Sequence, residues 1–248
     1  MMFAHGFGCD QHMWTDVARD FEGTYRTILF DHVGSGGSDL SAYSSEKYSD
    51  LKGYASDIVD IGRALELEDG ILVGHSVSAM ICALACIEAP EMFSELVMVG
   101  PSPRYIDDEG YAGGFAKEQI EELLTFLEEN HLGWSAAMGP AIAGNPDRPE
   151  VGDKLTQSFC ATDPEIAREF ARVTFFSDNR DDLAKVPVRT LVLQCQQDII
   201  APETVGQFVH AHLPNSEYCL LDATGHCPNL SHPAEVTRAI SDFLDASD

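Results

Sequence analysis

The sequence predicts an α/β fold, in which a mostly parallel sheet carries helices on both faces and a helical insertion separates two of its strands. Three observations lead to this prediction. Short apolar runs alternate with longer stretches of helical periodicity, which is the order of strands and helices in a parallel sheet. The alternation stops between residues 101 and 185, where helical patterns follow one another. The chain has 248 residues, 44% of them hydrophobic, which suits one large domain or one core with an inserted subdomain.

Five apolar runs, each of a length typical of a buried strand, form the predicted sheet. They are residues 27–32, 70–75, 94–100, 189–195 and 217–223. Helical patterns cover residues 54–67, 76–88, 202–213 and 233–244. Pro90 ends the second of these helices, and Pro202 suits the start of the third because its missing N–H is not needed there.

The insertion consists of amphipathic helices without a strong strand between them. Four aliphatic residues share one face of its first helix: Ile120, Leu123, Leu124 and Leu127. The insertion follows the strand after residue 76, and so lies at the carboxyl end of the sheet, where open α/β sheets bind ligands. We therefore predict a core of residues 1–102 and 184–248, covered by a helical lid of residues 103–183.

Charge and cysteine usage narrow the classes of function. The formal net charge of −26 repels nucleic acid and anionic lipid, so neither is expected as a partner. The seven cysteines are scattered, and no Cys/His cluster has the spacing of a zinc site. We expect a reducing, cytoplasmic compartment without structural disulfides, and no bound metal. No segment has the length and apolar character of a membrane span, and no signal peptide precedes the first motif.

Ser76, in the stretch GHSVS, is the candidate nucleophile. It lies where the strand ending at His75 meets the next helix, at the point where a sharp turn would expose its hydroxyl. The pattern for such an elbow is G-x-S-x-G, and here Ser78 replaces the last glycine with another small residue. The alternative is that Ser76 is a helix cap, a common role for serine.

The base and the acid follow in the later part of the chain. His226 lies in a glycine-containing loop after the last strand, and Asp198 comes just after the preceding strand. The order Ser76, Asp198, His226 is the order of a nucleophile, acid and base in α/β-hydrolases. Asp222 competes for the role of the acid because it is close to His226 in sequence. Asp31 also ends a strand, but it precedes the serine and is expected to be structural.

Two backbone N–H groups are expected to hold the oxyanion that forms during acyl transfer. One belongs to Val77, directly after the nucleophile, and the other to Phe7 in the HGFG loop. His5 in that loop is expected to brace it through a hydrogen bond. Because nucleophile, base, acid and oxyanion donors agree in type, order and position, the sequence predicts a serine hydrolase.

Segments such as HGFGCDQHMW, ILFDHVGSGGSD, GHSVSAM and GHCPNLSHP resemble one subfamily of the α/β-hydrolases. It contains the bacterial sigma-B stress regulator RsbQ and the plant strigolactone and karrikin receptors. The resemblance covers nearly the whole chain and implies an α/β-hydrolase fold with the same three catalytic residues. It also implies a V-shaped lid of four helices above a mostly apolar pocket. The candidate pocket residues are Phe7, His75, Val77, Phe115, Phe126, Trp134, Phe159, Phe175 and Phe176.

The chain departs from this subfamily at its start, because a strand hairpin expected before FAHGFG is missing. The strand at residues 27–32 would then be a bare sheet edge. Either the sequence is a fragment of a longer chain, or a second copy covers that edge.

The sequence therefore predicts hydrolysis of a small apolar ester or lactone through an acyl-enzyme, with no cofactor. The alternative is a ligand receptor, whose slow hydrolysis or binding controls a partner such as a signalling phosphatase. A haloalkane dehalogenase would need an aspartate in place of Ser76.

Overall fold

A parallel sheet of six strands forms the centre of the computed structural model, which describes residues 1–246. The strand order is β2-β1-β3-β4-β5-β6, and all five neighbouring pairs are parallel. The strands are β1 (Met2–Ala4), β2 (Ile28–Leu29), β3 (Gly70–His75), β4 (Phe93–Val99), β5 (Arg189–Gln197) and β6 (Ser216–Thr224). The predicted α/β architecture is therefore confirmed, and the strand that precedes Ser76 lies in the interior of the sheet.

Helices cover both faces of this sheet. They are α1 (Thr15–Phe21), α2 (Leu51–Ala64), α3 (Val77–Glu88), α4 (Lys117–Glu129), α5 (His131–Ala143), α6 (Pro149–Ala161), α7 (Pro164–Phe175), α8 (Glu203–His212), α9 (Pro228–Ser231) and α10 (Pro233–Asp245). Short 3₁₀ helices occupy Gln11–Trp14, Leu40–Ala42 and Arg180–Lys185. Within the described chain, no helix combines the length and the apolar character needed to cross a membrane.

The sheet has one hydrophobic core on each of its two faces, because successive strand residues point to opposite faces of the sheet. In β4, Leu96 and Met98 belong to the core beneath α2 and α3, whereas Val97 and Val99 belong to the core beneath α1 and α10. These strand residues are fully buried. The near-continuous apolar strands of the sequence therefore reflect burial on both faces.

The helical insertion lies between β4 and β5 and contains the four helices α4 to α7. Helices α5 and α6 pack closely together at Gly152. A Cβ added to this residue would lie 2.9 Å from Pro140 Cα. Arg168 of α7 contacts Glu128 of α4 at 3.2 Å. The four helices fall inside the stretch predicted as a lid, whose division from the core remains an interpretation.

Strand β2 is much shorter than predicted, since it contains two residues and the apolar run contains six. Its partner β1 offers three residues, of which Met2 and Phe3 pair with it. In the described part of the chain, β2 has β1 as its neighbour and ends the sheet. Helix α2 also begins earlier than predicted, because Asp50 caps it by accepting the N–H of Lys52 at 2.7 Å.

Candidate active site

Ser76 occupies a strained turn between β3 and α3. Its φ of 58° and ψ of −126° lie outside the regions that non-glycine residues favour. Such a conformation costs about 1–3 kcal/mol and persists where the surrounding structure enforces it. Here the Ser76 N–H donates to Val99 O at 2.8 Å, and the hydroxyl makes no capping hydrogen bond to α3. The geometry is therefore that of a nucleophile elbow and not of a helix cap.

The side chains of Ser76, His226 and Asp198 meet in one hydrogen-bonded line. Nε2 of His226 lies 2.7 Å from Ser76 Oγ, and Nδ1 of His226 lies 2.7 Å from Asp198 Oδ2. All three residues are buried. The other carboxylate oxygen of Asp198 accepts the N–H groups of Ile200 at 2.8 Å and Ala201 at 3.0 Å. Three segments far apart in sequence thus place a hydroxyl, an imidazole and a carboxylate in the arrangement of a catalytic triad.

Asp198 and His75 both have pKa values below their ordinary values. Burial raises the pKa of Asp198, but the interaction with the His226 ring and the hydrogen bonds to the carboxylate outweigh it, so the pKa lies below its ordinary value. His75 is buried beside His226, and burial together with the interaction with the His226 ring lowers its pKa to about 3. The neutral His75 ring donates its Nε2–H to His226 O at 2.7 Å. Asp198 is therefore a carboxylate, and His75 holds the backbone of His226.

The competing acids have other partners. Asp222 is exposed and accepts the side-chain amide of Gln196 at 3.0 Å. Asp31 accepts hydrogen bonds from Gln11 and Gly37, in the structural role that the sequence predicted. The structure therefore brings Asp198, and not Asp222, to His226.

The end of α5 and the residues that follow it lie against the loop that carries His226. The His226 N–H donates to Ile142 O at 2.9 Å, and the side chain of Asn145 donates to Thr224 O at 3.0 Å. The backbones are so close that a Cβ added to Gly144 would lie 2.7 Å from Gly225 Cα. We call these contacts between residues 142–145 and residues 224–226 the lid junction.

The loop with the predicted oxyanion donor lies directly against Ser76. A Cβ added to Gly6 would lie 3.3 Å from Ser76 Cβ and 2.6 Å from His75 Nδ1, so this backbone approach requires glycine. Phe7 follows, and its ring lies 6.0 Å from the ring of Trp134 in the lid. Val77 is the first residue of α3, so its N–H has no acceptor within the helix. Both predicted N–H donors thus belong to backbone beside Ser76.

A narrow, mostly apolar cavity opens at Ser76 and His226. Its volume is about 30 Å³, so its walls lie close together. The lining residues are Phe7, Cys9, His75, Ser76, Tyr105, Leu123, Trp134, Met138, Ile142, Leu155, Phe159, Thr174, Phe175, Ile200, His226 and Cys227.

Five of the predicted pocket residues line this cavity: Phe7, His75, Trp134, Phe159 and Phe175.

Four others do not line it. Val77 packs into the core beneath α3. Phe126 is 40% exposed, because it lies on the outer side of α4, and Leu123 lines the cavity from this helix instead. Phe176 follows α7, packs under the Arg172 guanidinium and lines a separate surface groove. Phe115 precedes α4, donates its N–H to Tyr105 O and packs on the core.

Tyr105 is a cavity residue that the sequence analysis missed. It is 1% exposed, and its hydroxyl has no hydrogen-bond partner within residues 1–246. Burial raises the pKa of Tyr105, although the nearby Ser76 hydroxyl counteracts part of the shift. The phenol is therefore a protonated donor close to Ser76. Its position shortly after β4, at the carboxyl end of the sheet, was the signal that could have found it.

Metal-binding geometry is absent from the described residues, since no group of three or more His, Cys, Asp or Glu side chains could hold an ion.

Comparison with known proteins agrees with the observed fold. A profile of the alpha/beta hydrolase family matches residues 1–239. A strigolactone esterase of Arabidopsis thaliana is 34% identical, over 96% of this chain and 89% of its own length. A karrikin insensitive 2 receptor of Petunia hybrida is 32% identical, over 94% of this chain and 87% of its own. The solved structure of a hydrolase from Oleispira antarctica has a TM-score of 0.96 and 38% identity, and the alignment covers 98% of this chain and 90% of that one.

Proposed function

Because this chain belongs to the alpha/beta hydrolase family, with an esterase among its relatives, we propose that it is a serine hydrolase that cleaves a small apolar ester or lactone. The observation that carries the proposal is the pair of 2.7 Å contacts that join Ser76 to His226 and His226 to Asp198. The apolar lining of the cavity supports a substrate with a hydrophobic acyl or ring portion.

In the first half of the reaction, His226 Nε2 takes the proton of Ser76 Oγ as that oxygen attacks the carbonyl carbon. Asp198 accepts the Nδ1–H of the ring and stabilises the imidazolium. The negative oxygen of the tetrahedral intermediate is held by the N–H groups of Phe7 and Val77. When the intermediate collapses, the alcohol oxygen takes the proton from His226 and leaves, and the acyl group remains on Ser76.

In the second half, water attacks the acyl-enzyme while His226 removes its proton. When the second tetrahedral intermediate collapses, the bond from the carbonyl carbon to Ser76 Oγ breaks, His226 returns the proton to that oxygen, and the acid is released. When the substrate is a lactone, the alcohol and the acid are two ends of one product. The reaction needs no group beyond the residues named and water.

The decisive experiment is replacement of Ser76 by alanine. We expect p-nitrophenyl butyrate hydrolysis to fall by about 10⁴-fold or more, because the covalent route is lost. Intact-mass spectrometry should detect an acyl adduct on the wild-type chain and none on Ser76→Ala. Ser94→Ala is the matched control, since Ser94 is exposed at the amino end of β4 and should leave turnover unchanged. Turnover that survives Ser76→Ala would refute the proposal.

A second candidate function is a ligand receptor with slow hydrolysis. Two observations favour it: one relative is named a receptor, and the lid junction ties the base directly to the lid. Incubation with a strigolactone-like butenolide separates the two functions. Near-single turnover, with a lasting adduct and a ligand-dependent change in lid proteolysis, indicates a receptor. Rapid multiple turnover without a lasting adduct indicates an enzyme.

A further inference from the structure

Ser78 occupies the position at which the elbow pattern has glycine, and its hydroxyl makes two buried hydrogen bonds. The residue is 0% exposed. Its Oγ–H donates to the backbone carbonyl of His5, and its Oγ lies 2.8 Å from Nε2 of His32. A glycine or an alanine at this position would leave both of these buried groups without their partner.

The protons in this cluster can be assigned from the contacts. The His5 carbonyl can only accept, so the Ser78 hydroxyl donates its hydrogen bond to it, and His32 must therefore donate its Nε2–H to Ser78 Oγ. The backbone N–H of His32 donates to His5 Nε2 at 3.1 Å. The ring proton of His5 is therefore on Nδ1, which donates it to Gly6 O at 2.9 Å. Burial lowers the pKa of both histidines, which keeps the rings neutral and the pattern intact.

This cluster ties the first turn of α3 to the loop that carries the Phe7 N–H. The carbonyl and the ring of His5 are both held, and Gly6 between His5 and Phe7 lies against Ser76. Ser78 is two residues after Ser76 on the same short stretch of backbone. A bond from Ser78 to the loop therefore sets the distance between the nucleophile and one of the two proposed oxyanion donors.

We propose that Ser78 is a positioning residue, which holds the loop at residues 5–8 so that the Phe7 N–H meets the oxyanion formed by attack of Ser76. This inference rests on the proposed hydrolase function. It assigns a role to the residue that departs from G-x-S-x-G, where a small side chain alone would satisfy the packing. Ser78 acts through His5 and Gly6 and does not itself touch the substrate.

Ser78→Ala tests this role, because it removes the hydroxyl and keeps Cβ. Complete loss of an oxyanion donor costs about 10²–10³ in kcat, and a displaced donor should cost a part of that, about tenfold. We expect KM to change little, since the apolar cavity is untouched. A trifluoromethyl ketone with a butyl chain forms a tetrahedral oxyanion on Ser76, so its inhibition constant should rise by the same factor by which kcat falls.

Thr190→Val is the matched control for loss of a buried hydroxyl. Thr190 is 0% exposed and bonds Val188 O at 3.1 Å near the amino end of β5, away from the triad. It should lower stability to a similar extent and leave kcat and the inhibition constant unchanged. Ser78→Gly provides a second variant if the alanine does not fold, and the same tenfold loss is expected of it.

The inference is overturned if Ser78→Ala or Ser78→Gly hydrolyses esters at the wild-type rate, or if kcat falls while the affinity for the ketone stays constant. It is also overturned if Thr190→Val produces the same kinetic loss. Failure of the proposed function has a different signature, namely hydrolysis that is absent from the wild-type chain or independent of Ser76.

Discussion

Asp198→Asn should disable the proposed triad, and the structure determines which way the new amide turns. Asp198 Oδ1 accepts two backbone N–H groups, from Ile200 and Ala201, while Oδ2 accepts the Nδ1–H of His226. Asparagine has one oxygen and one NH₂ group. Since both backbone groups are donors, the oxygen must stay with them, and the NH₂ group must face His226.

The consequence for the base is a change of tautomer. Nδ1 of His226 then has to accept a hydrogen bond, so the ring proton moves to Nε2 and points at Ser76 Oγ, which is 2.7 Å away. An imidazole in that form cannot take the serine proton. We expect kcat to fall by about 10⁴-fold, the effect of this substitution in a Ser-His-Asp protease, which corresponds to about 5 kcal/mol of barrier.

Steady-state hydrolysis of p-nitrophenyl butyrate measures the loss, and circular dichroism checks that the variant is folded. Asp222→Asn is the matched control, because Asp222 is closer to His226 in sequence but exposed and bonded to Gln196. It should change kcat by less than about twofold, as for a surface substitution. The reasoning fails if Asp198→Asn keeps more than about a tenth of the wild-type kcat, or if Asp222→Asn is equally impaired.

Three further predictions concern the cavity, the elbow and the response to pH. Tyr105→Phe should not lower the thermal midpoint, because the hydroxyl that it removes is buried without a partner in the described chain. The variant should reduce kcat/KM about tenfold more for p-nitrophenyl methoxyacetate than for the isosteric butyrate, and equal losses on both esters would argue against a hydrogen bond to the extra oxygen. Gly74→Ala should lower the urea-unfolding free energy by more than about 2 kcal/mol, since its Cβ would lie 2.3 Å from Ser78 O, whereas Gly23→Ala has open space and should have little effect. Burial raises the pKa of Asp31, but hydrogen bonds from its neighbours outweigh this and hold it below the ordinary 3.8. Its contribution to stability is full above that value and is lost as pH falls through the native pKa, so the deficit of Asp31→Asn in urea midpoint should be large near neutral pH and vanish in acid; a deficit independent of pH would contradict this.

The fold and the line of three side chains were predictable because they depend on local patterns and chain order. Apolar runs mark strands wherever a sheet is buried on both faces, and the order of Ser76, Asp198 and His226 restricts which acid and base can meet. Strand β2 was overestimated because its length depends on the few residues of β1 that pair with it, which is not a local property.

The cavity and the Ser78 cluster were less predictable. An aromatic residue on an amphipathic helix can face either way, and Phe126 faces outward although the aliphatic stripe of α4 already indicated the inner face. The bonds among His5, His32 and Ser78 join three segments that have no periodic relation in sequence. Such contacts can be identified in the folded structure but not from sequence periodicity.

The lid junction has a mechanical consequence. Because the N–H of His226 is bonded to Ile142 O and the two loops are in contact at Gly144 and Gly225, we expect an outward movement of α5 to move His226 away from Ser76. A conformation that is open on that side would be inactive, and activity would return when the helices close again. We therefore expect ligands to enter past α4 and α7, while α5 and α6 stay in place.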